Sequence, residues 1–153
     1  LNLLKPALLH SKFFPALQGR DGKMSSSDPN SAIFLSDTFD EIKNKIFKHA
    51  FSGGQPTKAE QIEKGADLEI DVSFQMIRHF CPDDKIVAQI AEYYGTPGGK
   101  MLTRDVKNKA VEVISQLLKE HQTRRNSITQ ELINKFTYFD YKIRSPFVDS
   151  LSI

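Results

Sequence analysis

Five residues that break or weaken a helix, Pro6, Pro15, Gly19, Gly22 and Pro29, fall within the first 37 positions and set the plan of the chain. No long helix fits there, so residues 1–37 read as strand and loop. Leu8 and Leu9 ahead of His10, and FFPAL at 13–17, are short apolar runs of the kind that form buried strands; periodicity alone does not decide them. The polar run QGRDGKMSSS at 18–27 holds two glycines and reads as a mobile surface loop. Asp28-Pro29 has the form of a helix N-cap followed by proline at the first helical position, which predicts a turn of helix just after the serines.

Beyond residue 37 the pattern changes to helix. Thr38 with Glu41 is a capping box, and Phe39, Ile42, Ile46 and Ala50 follow at helical spacing as far as Ser52-Gly53-Gly54. Residues 58–64 allow a short helix that Gly65 breaks. Residues 70–81 are apolar on several faces and end at Pro82. Asp83 or Asp84 caps a helix with Ile86, Val87, Ile90, Ala91 and Tyr94 on one stripe, closed by Gly95. Thr103 is placed to cap a helix of roughly thirty residues and about 50 Å, which Asn126-Ser127 can split. Residues 139–153 mix proline, serine and aromatics and read as a partly docked tail. Phe13, Phe14, Phe34, Phe74 and Phe80 read as core.

A chain of 153 residues with 39% hydrophobic and 26% charged positions can hold a core without disulfides, which excludes collagenous and mostly disordered classes. The single Cys81 allows no intrachain disulfide and fits a reducing compartment, with cytoplasm the default. No apolar run is long enough for a membrane span. The formal charge of +2 demands no polyanion, but nine basic residues stand against six acidic ones from Arg104 onward, and twelve against thirteen before it. His10, His49, His79 and His121 are too scattered for metal spacing, so no metal site is expected.

The run KMSSS at 23–27 is the most informative in the chain. Lysine and serine in a loop are commonplace, and by composition alone a plain solvated loop is favoured. Here, however, an ammonium, several hydroxyls, free amides and an expected helix start at Pro29 stand together, which are the parts of a phosphate site. Asp21 and Asp28 would repel phosphate, unless Asp28 is committed to capping.

KMSSS resembles the second signature, KMSKS, of class I aminoacyl-tRNA synthetases. The runs KPALLHSKFFPALQG at 5–19, KMSSSDPNSAIFLSDT at 23–38, KHAFSGG at 48–54, DVSF at 71–74 and MLTRDVKN from 101 are together similar to the eukaryotic-type, cytoplasmic tryptophanyl-tRNA synthetases. The resemblance implies a mainly α chain. Residues 1–37 would be a strand and loop remnant of a Rossmann-like catalytic domain, and residues 38–153 a helical anticodon-binding bundle. It also implies the reaction: the tryptophan carboxylate attacks the α-phosphorus of ATP, pyrophosphate leaves, and the adenylate is passed to tRNA(Trp). Lys23 would then contact the leaving phosphates, Ser25 and Ser27 would supply donors and Met24 would anchor the loop; His10, by its place after an expected strand and shortly before the loop, is a candidate to line the nucleotide cleft. Ser26 stands where the general signature has a second lysine, so one positive charge is missing, and Mg²⁺ is expected with ATP.

No HIGH-type first signature and no Gly-rich strand-to-helix turn occurs. The expectation is therefore a C-terminal part, unable to form adenylate alone. The whole enzyme is expected to be a homodimer, and this part a monomer if much of that interface lies elsewhere. For tRNA, the candidates are Gly54 and Gln55 with Gly53, Lys107, Lys109, Arg124 and Arg125. A helix-ending turn is an equal reading for the glycines, and simple solvation is favoured for either arginine. The corresponding part of a tyrosyl-tRNA synthetase, and a freestanding helical RNA-binding or scaffold module, remain open alternatives.

Overall fold

The computed structural model describes residues 7–10 and 14–137. Six helices follow one another: α1 (Phe39–His49), α2 (Lys58–Lys64), α3 (Val72–Phe80), α4 (Asp84–Gly95), α5 (Thr103–Asn126) and α6 (Gln130–Thr137). The helix starts follow the side chains that satisfy their first amides. At α1 the capping box forms: Glu41 N donates to Thr38 Oγ1 at 3.3 Å and Thr38 N to Glu41 Oε2 at 2.7 Å. Those bonds hold the Glu41 carboxyl below its usual range, the Thr38 amide contributing most. Thr57, Asp71 and Asp83 accept from the first turns of α2, α3 and α4. At α5 the expected cap is displaced by one residue. Thr103 is already helical, and Asp105 accepts from Leu102 N at 2.9 Å, because the Thr103 hydroxyl is engaged elsewhere.

The expected thirty-residue helix is two helices. Ser127 N donates to Arg124 O and Ile128 N to Arg125 O, tightening the last turn before α6 restarts. The core lies where α5 packs against α1 and α3. Ile42 and Ile46 of α1, Ile77 of α3, and Val106, Ala110 and Ile114 of α5 are buried in it. Phe74 is also in the core, whereas Phe14 and Phe34 are only partly buried and Phe80 and Phe39 are exposed. Phe13 and the tail at 139–153 lie outside the described residues.

The N-terminal segment departs from expectation. Among the described residues there are no strands, only isolated bridges between Ala16 and Gly19 and between Ser25 and Asp28. Leu8 and Leu9 are exposed rather than buried. Around Leu17 the backbone makes single bonds to different neighbours rather than a ladder: Leu17 N donates to Ser31 O at 2.9 Å, and Phe51 N donates to Leu17 O at 2.7 Å. The helix expected at Pro29 is replaced by successive turns, Asp28 N to Ser25 O and Ser31 N to Asp28 O. Side chains divert the backbone there, since Asp28 Oδ1 takes the Asn30 amide and the Ser31 hydroxyl reaches the carbonyls of Ser25 and Asp28.

Residues 14–37 pack into the helices rather than beside them. Leu17 belongs to the helical core, where burying such a side chain contributes about 1.5–3 kcal/mol. At the other end of the segment Asp37 pairs with Lys45 of α1 at 2.6 Å, with both side chains largely buried. Lys45 Nζ also sits 4.3 Å from the centre of the Phe34 ring. From α5, Gln122 Nε2 donates to Leu35 O and Asp37 O.

Candidate functional site

The loop that carries KMSSS is pinned at both ends to the buried pair Ala16 and Leu17. On the entering side Gly19 N donates to Ala16 O and Gly22 N to Gly19 O. Gly19 has φ +110°, a conformation that favours glycine. On the leaving side Ser31, itself bonded to Leu17, reaches back to Ser25. Arg20 adds a strap, donating to Glu69 O at 2.8 Å, while Arg78 donates to Glu69 Oε1 at 2.9 Å.

Between the pins the chemistry is exposed. Lys23 makes no hydrogen bond or ion pair among the described residues, and neither do the backbone amides of Lys23, Met24 and Ser26. Ser25 Oγ and Ser27 Oγ are 2.7 Å apart, so the two hydroxyls form one polar pair. Ser26 is exposed. Asp28 is committed, with Oδ1 taking Asn30 N at 3.0 Å and Oδ2 taking Gln18 Nε2 at 3.3 Å. An unpaired ammonium, paired hydroxyls and open amides make an anion-seeking surface; the helix terminus expected at Pro29 is not part of it.

Met24 marks the apolar side of the loop. It lines a cavity of about 250 Å³ together with Phe14, Leu35, Met76 of α3 and Leu117 and Leu118 of α5. His10 is exposed and makes no hydrogen bond among the described residues; the strand expected to carry it into a cleft is not formed. No group of three or more His, Cys, Asp or Glu side chains fit to hold a metal occurs among the described residues.

The residues singled out for RNA contact separate into two groups. Gly53, Gly54, Gln55 and Lys107 gather where α1 ends and α5 begins. Arg124 and Arg125 lie in the last turn of α5, about 25 Å farther along its axis. In the first group, Lys107 Nζ donates to Phe47 O at 3.1 Å and Ala50 O at 3.0 Å, closing the C-terminal end of α1. Burial pulls its pKa below that of an ordinary lysine, with the Asp71 charge acting in the opposite direction. Gln55 is held through its backbone amide by Gln61 Oε1 and through its side chain by Gly65 O. Lys109 pairs with Glu112 at 2.8 Å, Arg124 lies 4.0 Å from Glu120, and Arg125 is exposed.

Inside the first group is a buried polar cluster that sequence reasoning missed. Asp71 Oδ2 accepts from Gly53 N at 2.9 Å, Tyr94 Oη at 2.8 Å and Ser52 Oγ at 3.3 Å, while Oδ1 accepts Phe74 N at 2.8 Å. Tyr94 Oη and Ser52 Oγ also lie 3.1 and 3.3 Å from Thr103 Oγ1. The Tyr94 hydroxyl is pushed up to about 12, first by burial and next by the Asp71 charge, against the pull of its bonds to Ser52 and Thr103. Both glycines are required by this packing. A Cβ on Gly53 would strike the Asp67 carbonyl oxygen, and one on Gly54 would strike Thr103 Oγ1 and come 2.9 Å from Tyr94 Oη. Three of the runs that carried the resemblance, around 50–54, 71–74 and 101–108, thus meet at one cluster.

Comparison with known proteins follows the same lines. The family described as tRNA synthetases class I (W and Y) matches residues 2–136. A cytoplasmic tryptophan–tRNA ligase of Dictyostelium discoideum is 48% identical over 132 residues, covering 86% of this chain and 32% of its own length. The cytoplasmic human ligase is 50% identical over 132 residues, covering 86% of this chain and 28% of its own. Among solved structures, a tryptophanyl-tRNA synthetase of Giardia lamblia superposes with a TM-score of 0.77 at 44% identity, covering 84% of this chain and 31% of that one. The chain therefore spans about a third of the length of the curated relatives it matches. Its matched residues reach from the N-terminal segment through α5 into α6 and include the Lys23 loop and the Asp71 cluster, and on that match the chain belongs to the class I tRNA synthetase family of the tryptophan and tyrosine enzymes.

Proposed function

We propose that this chain is the part of a cytoplasmic tryptophan–tRNA ligase that carries the second signature loop and a helical tRNA-binding domain. Tryptophan is preferred over tyrosine because the relatives described above are tryptophan enzymes at 44–50% identity. The observation that carries the reading is the exposed Lys23, without a partner among the described residues, on a loop fastened at both ends. In adenylate formation the tryptophan carboxylate displaces pyrophosphate from the α-phosphorus, and no protein nucleophile is needed. Lys23 would meet negative charge as it builds on the departing phosphates, and the amide of Ser26 with the Ser25 and Ser27 hydroxyls would supply donors. On this reading the chain is a C-terminal part, with residues 1–37 ending the catalytic domain and 38–153 reaching the tRNA; the loop standing ahead of the six helices is what supports it.

Mg²⁺ fits as a companion of ATP rather than as a resident ion. The carboxylate of the loop next to the serines, Asp28, is already taken up by Asn30 and Gln18, so the ion would be held chiefly by the triphosphate. tRNA(Trp), tryptophan and a second subunit are the partners of the whole enzyme on this reading. Within this chain Arg124 and Arg125 are the better-placed phosphate contacts, because Lys107 and Gln55 are engaged internally.

The test is tryptophan-dependent ATP–pyrophosphate exchange by the complete enzyme. Lys23→Ala is expected to lower it about 10²–10³-fold, the range for removing one pre-positioned electrostatic group. Unchanged exchange, or exchange driven by tyrosine instead, would overturn the reading.

A further inference from the structure

Ser31 lies outside the signature, yet its hydroxyl is the point at which the signature loop is fastened. The residue is 2% exposed. Its Oγ accepts the Ser25 amide at 2.9 Å and lies 2.7 Å from Asp28 O and 3.1 Å from Ser25 O, so its single proton is shared between two carbonyls. Its backbone continues the connection, with Ser31 N donating to Asp28 O and Ser31 O accepting from Leu17 N. One buried side chain therefore joins the turn at Ser25 to the core at Leu17.

The bonds are not equally replaceable. Asp28 O also receives Ser31 N, and Ser25 O also receives Asp28 N. The Ser25 amide, by contrast, has no other partner among the described residues, so loss of the hydroxyl releases that amide first. Ser25 is two residues from Lys23, and among the described residues Lys23 and Met24 have no backbone hydrogen bonds of their own. Where the Lys23 ammonium begins its reach is thus set by the Gly19 to Gly22 turn on one side and by Ser31 on the other.

We propose that Ser31 is a positioning residue for the signature lysine, acting through the Ser25 amide to hold the Lys23 arm in register for the ATP phosphates. This rests on the function proposed above for Lys23. Pre-set geometry matters because small misplacements of a charge-stabilising group cost rate more than they cost binding.

The experiment uses the complete enzyme and two readouts. In Ser31→Ala, amide hydrogen exchange across residues 23–28 is expected to speed up at least tenfold, while α3 and α5 keep their protection. In a double-mutant cycle, Ser31→Ala is expected to lower kcat of ATP–pyrophosphate exchange about tenfold with the KM for tryptophan unchanged, but less than twofold when Lys23 is already alanine. Ser31→Thr, which keeps the hydroxyl, restores the loop protection; Ser31→Cys, close in size with a weak hydrogen-bonding thiol, replaces alanine if that variant does not fold. Unchanged loop exchange, or the same fold loss in both Lys23 backgrounds, overturns the inference. If Lys23→Ala itself leaves catalysis intact, the parent reading fails instead, which the hydrogen-exchange arm distinguishes from a failure of the latch.

Discussion

Tyr94 of α4 donates its hydroxyl to Asp71 at the start of α3, Oη to Oδ2 at 2.8 Å, and this bond joins two helices to the turn that ends α1. Neither residue is exposed to solvent. A buried carboxylate is tolerable here because two backbone amides and two hydroxyls surround it.

Removing the hydroxyl should therefore be felt throughout the fold. Tyr94→Phe is expected to cost about 2 kcal/mol, the range for a hydrogen bond to a charged group. Asp71→Ala is expected to cost about 3–5 kcal/mol, because it strips the cap from Phe74 and strands the Gly53 amide as well. Urea unfolding of each variant measures both.

The same hydroxyl gives an alkaline signature. In the folded chain Tyr94 titrates at about 12, above the ordinary value of 10.0. The protonated form is thus favoured by folding, and the contribution is fully present below pH 10. Between about 10 and 12 the unfolded chain loses this proton while the folded chain keeps it, so stability falls as pH rises. Wild-type stability should decline more steeply than that of Tyr94→Phe over this window, and the difference between the two curves isolates the group.

Lys23 and Ser26 are exposed, and their side chains make no hydrogen bond among the described residues, so stability and catalysis should separate there. Lys23→Ala should leave unfolding within about 0.5 kcal/mol of wild type while lowering pyrophosphate exchange. Ser26→Lys restores the second charge of the general signature and should reduce the ATP or Mg²⁺ concentration needed for half-maximal exchange. Exchange kinetics across an ATP and Mg²⁺ series read this directly, and identical curves would mean that the missing charge has no catalytic consequence.

Gly53 and Gly54 provide a test of what their turn is for. Gly54→Ala should cost about 1–3 kcal/mol through overpacking against Thr103 and Tyr94. Gly53→Ala should cost more, since the obstacle is the Asp67 backbone rather than a side chain that can rotate. A melting temperature unchanged in both would mean that the turn is loose enough to serve a ligand instead of the core.

Much of the helical part was legible in the sequence because its signals are local. The Thr38 and Glu41 box, the Asp83 cap and the break at Gly65 act within one turn of the residues that carry them. The Lys23 segment was legible too as an exposed polar loop, from its run of residue types. Local patterns also misled where other bonds intervened, one set distant in sequence and one set only a few residues away. FFPAL was open to a buried strand, undecided by periodicity, but Leu17 is satisfied by Ser31 and Phe51, which lie on different segments. Asp28-Pro29 looked like a helix start, but a buried hydroxyl three residues on took the carbonyls into turns.

What the sequence by itself determined is the helical punctuation and the chemistry available at residues 23–27, since propensity, capping and charge belong to neighbouring residues. What only the tertiary structure decided is which polar groups are left over for function. Lys107 and Gln55 had the right chemistry for RNA and are spent inside the fold, while Lys23 is exposed and has no partner among the described residues. Nothing in the local pattern pointed to the hydrogen bonds that Ser31, Asp71 and Tyr94 make. Their roles arise because packing removes them from water, and a buried polar group must find its partners wherever the chain brings them.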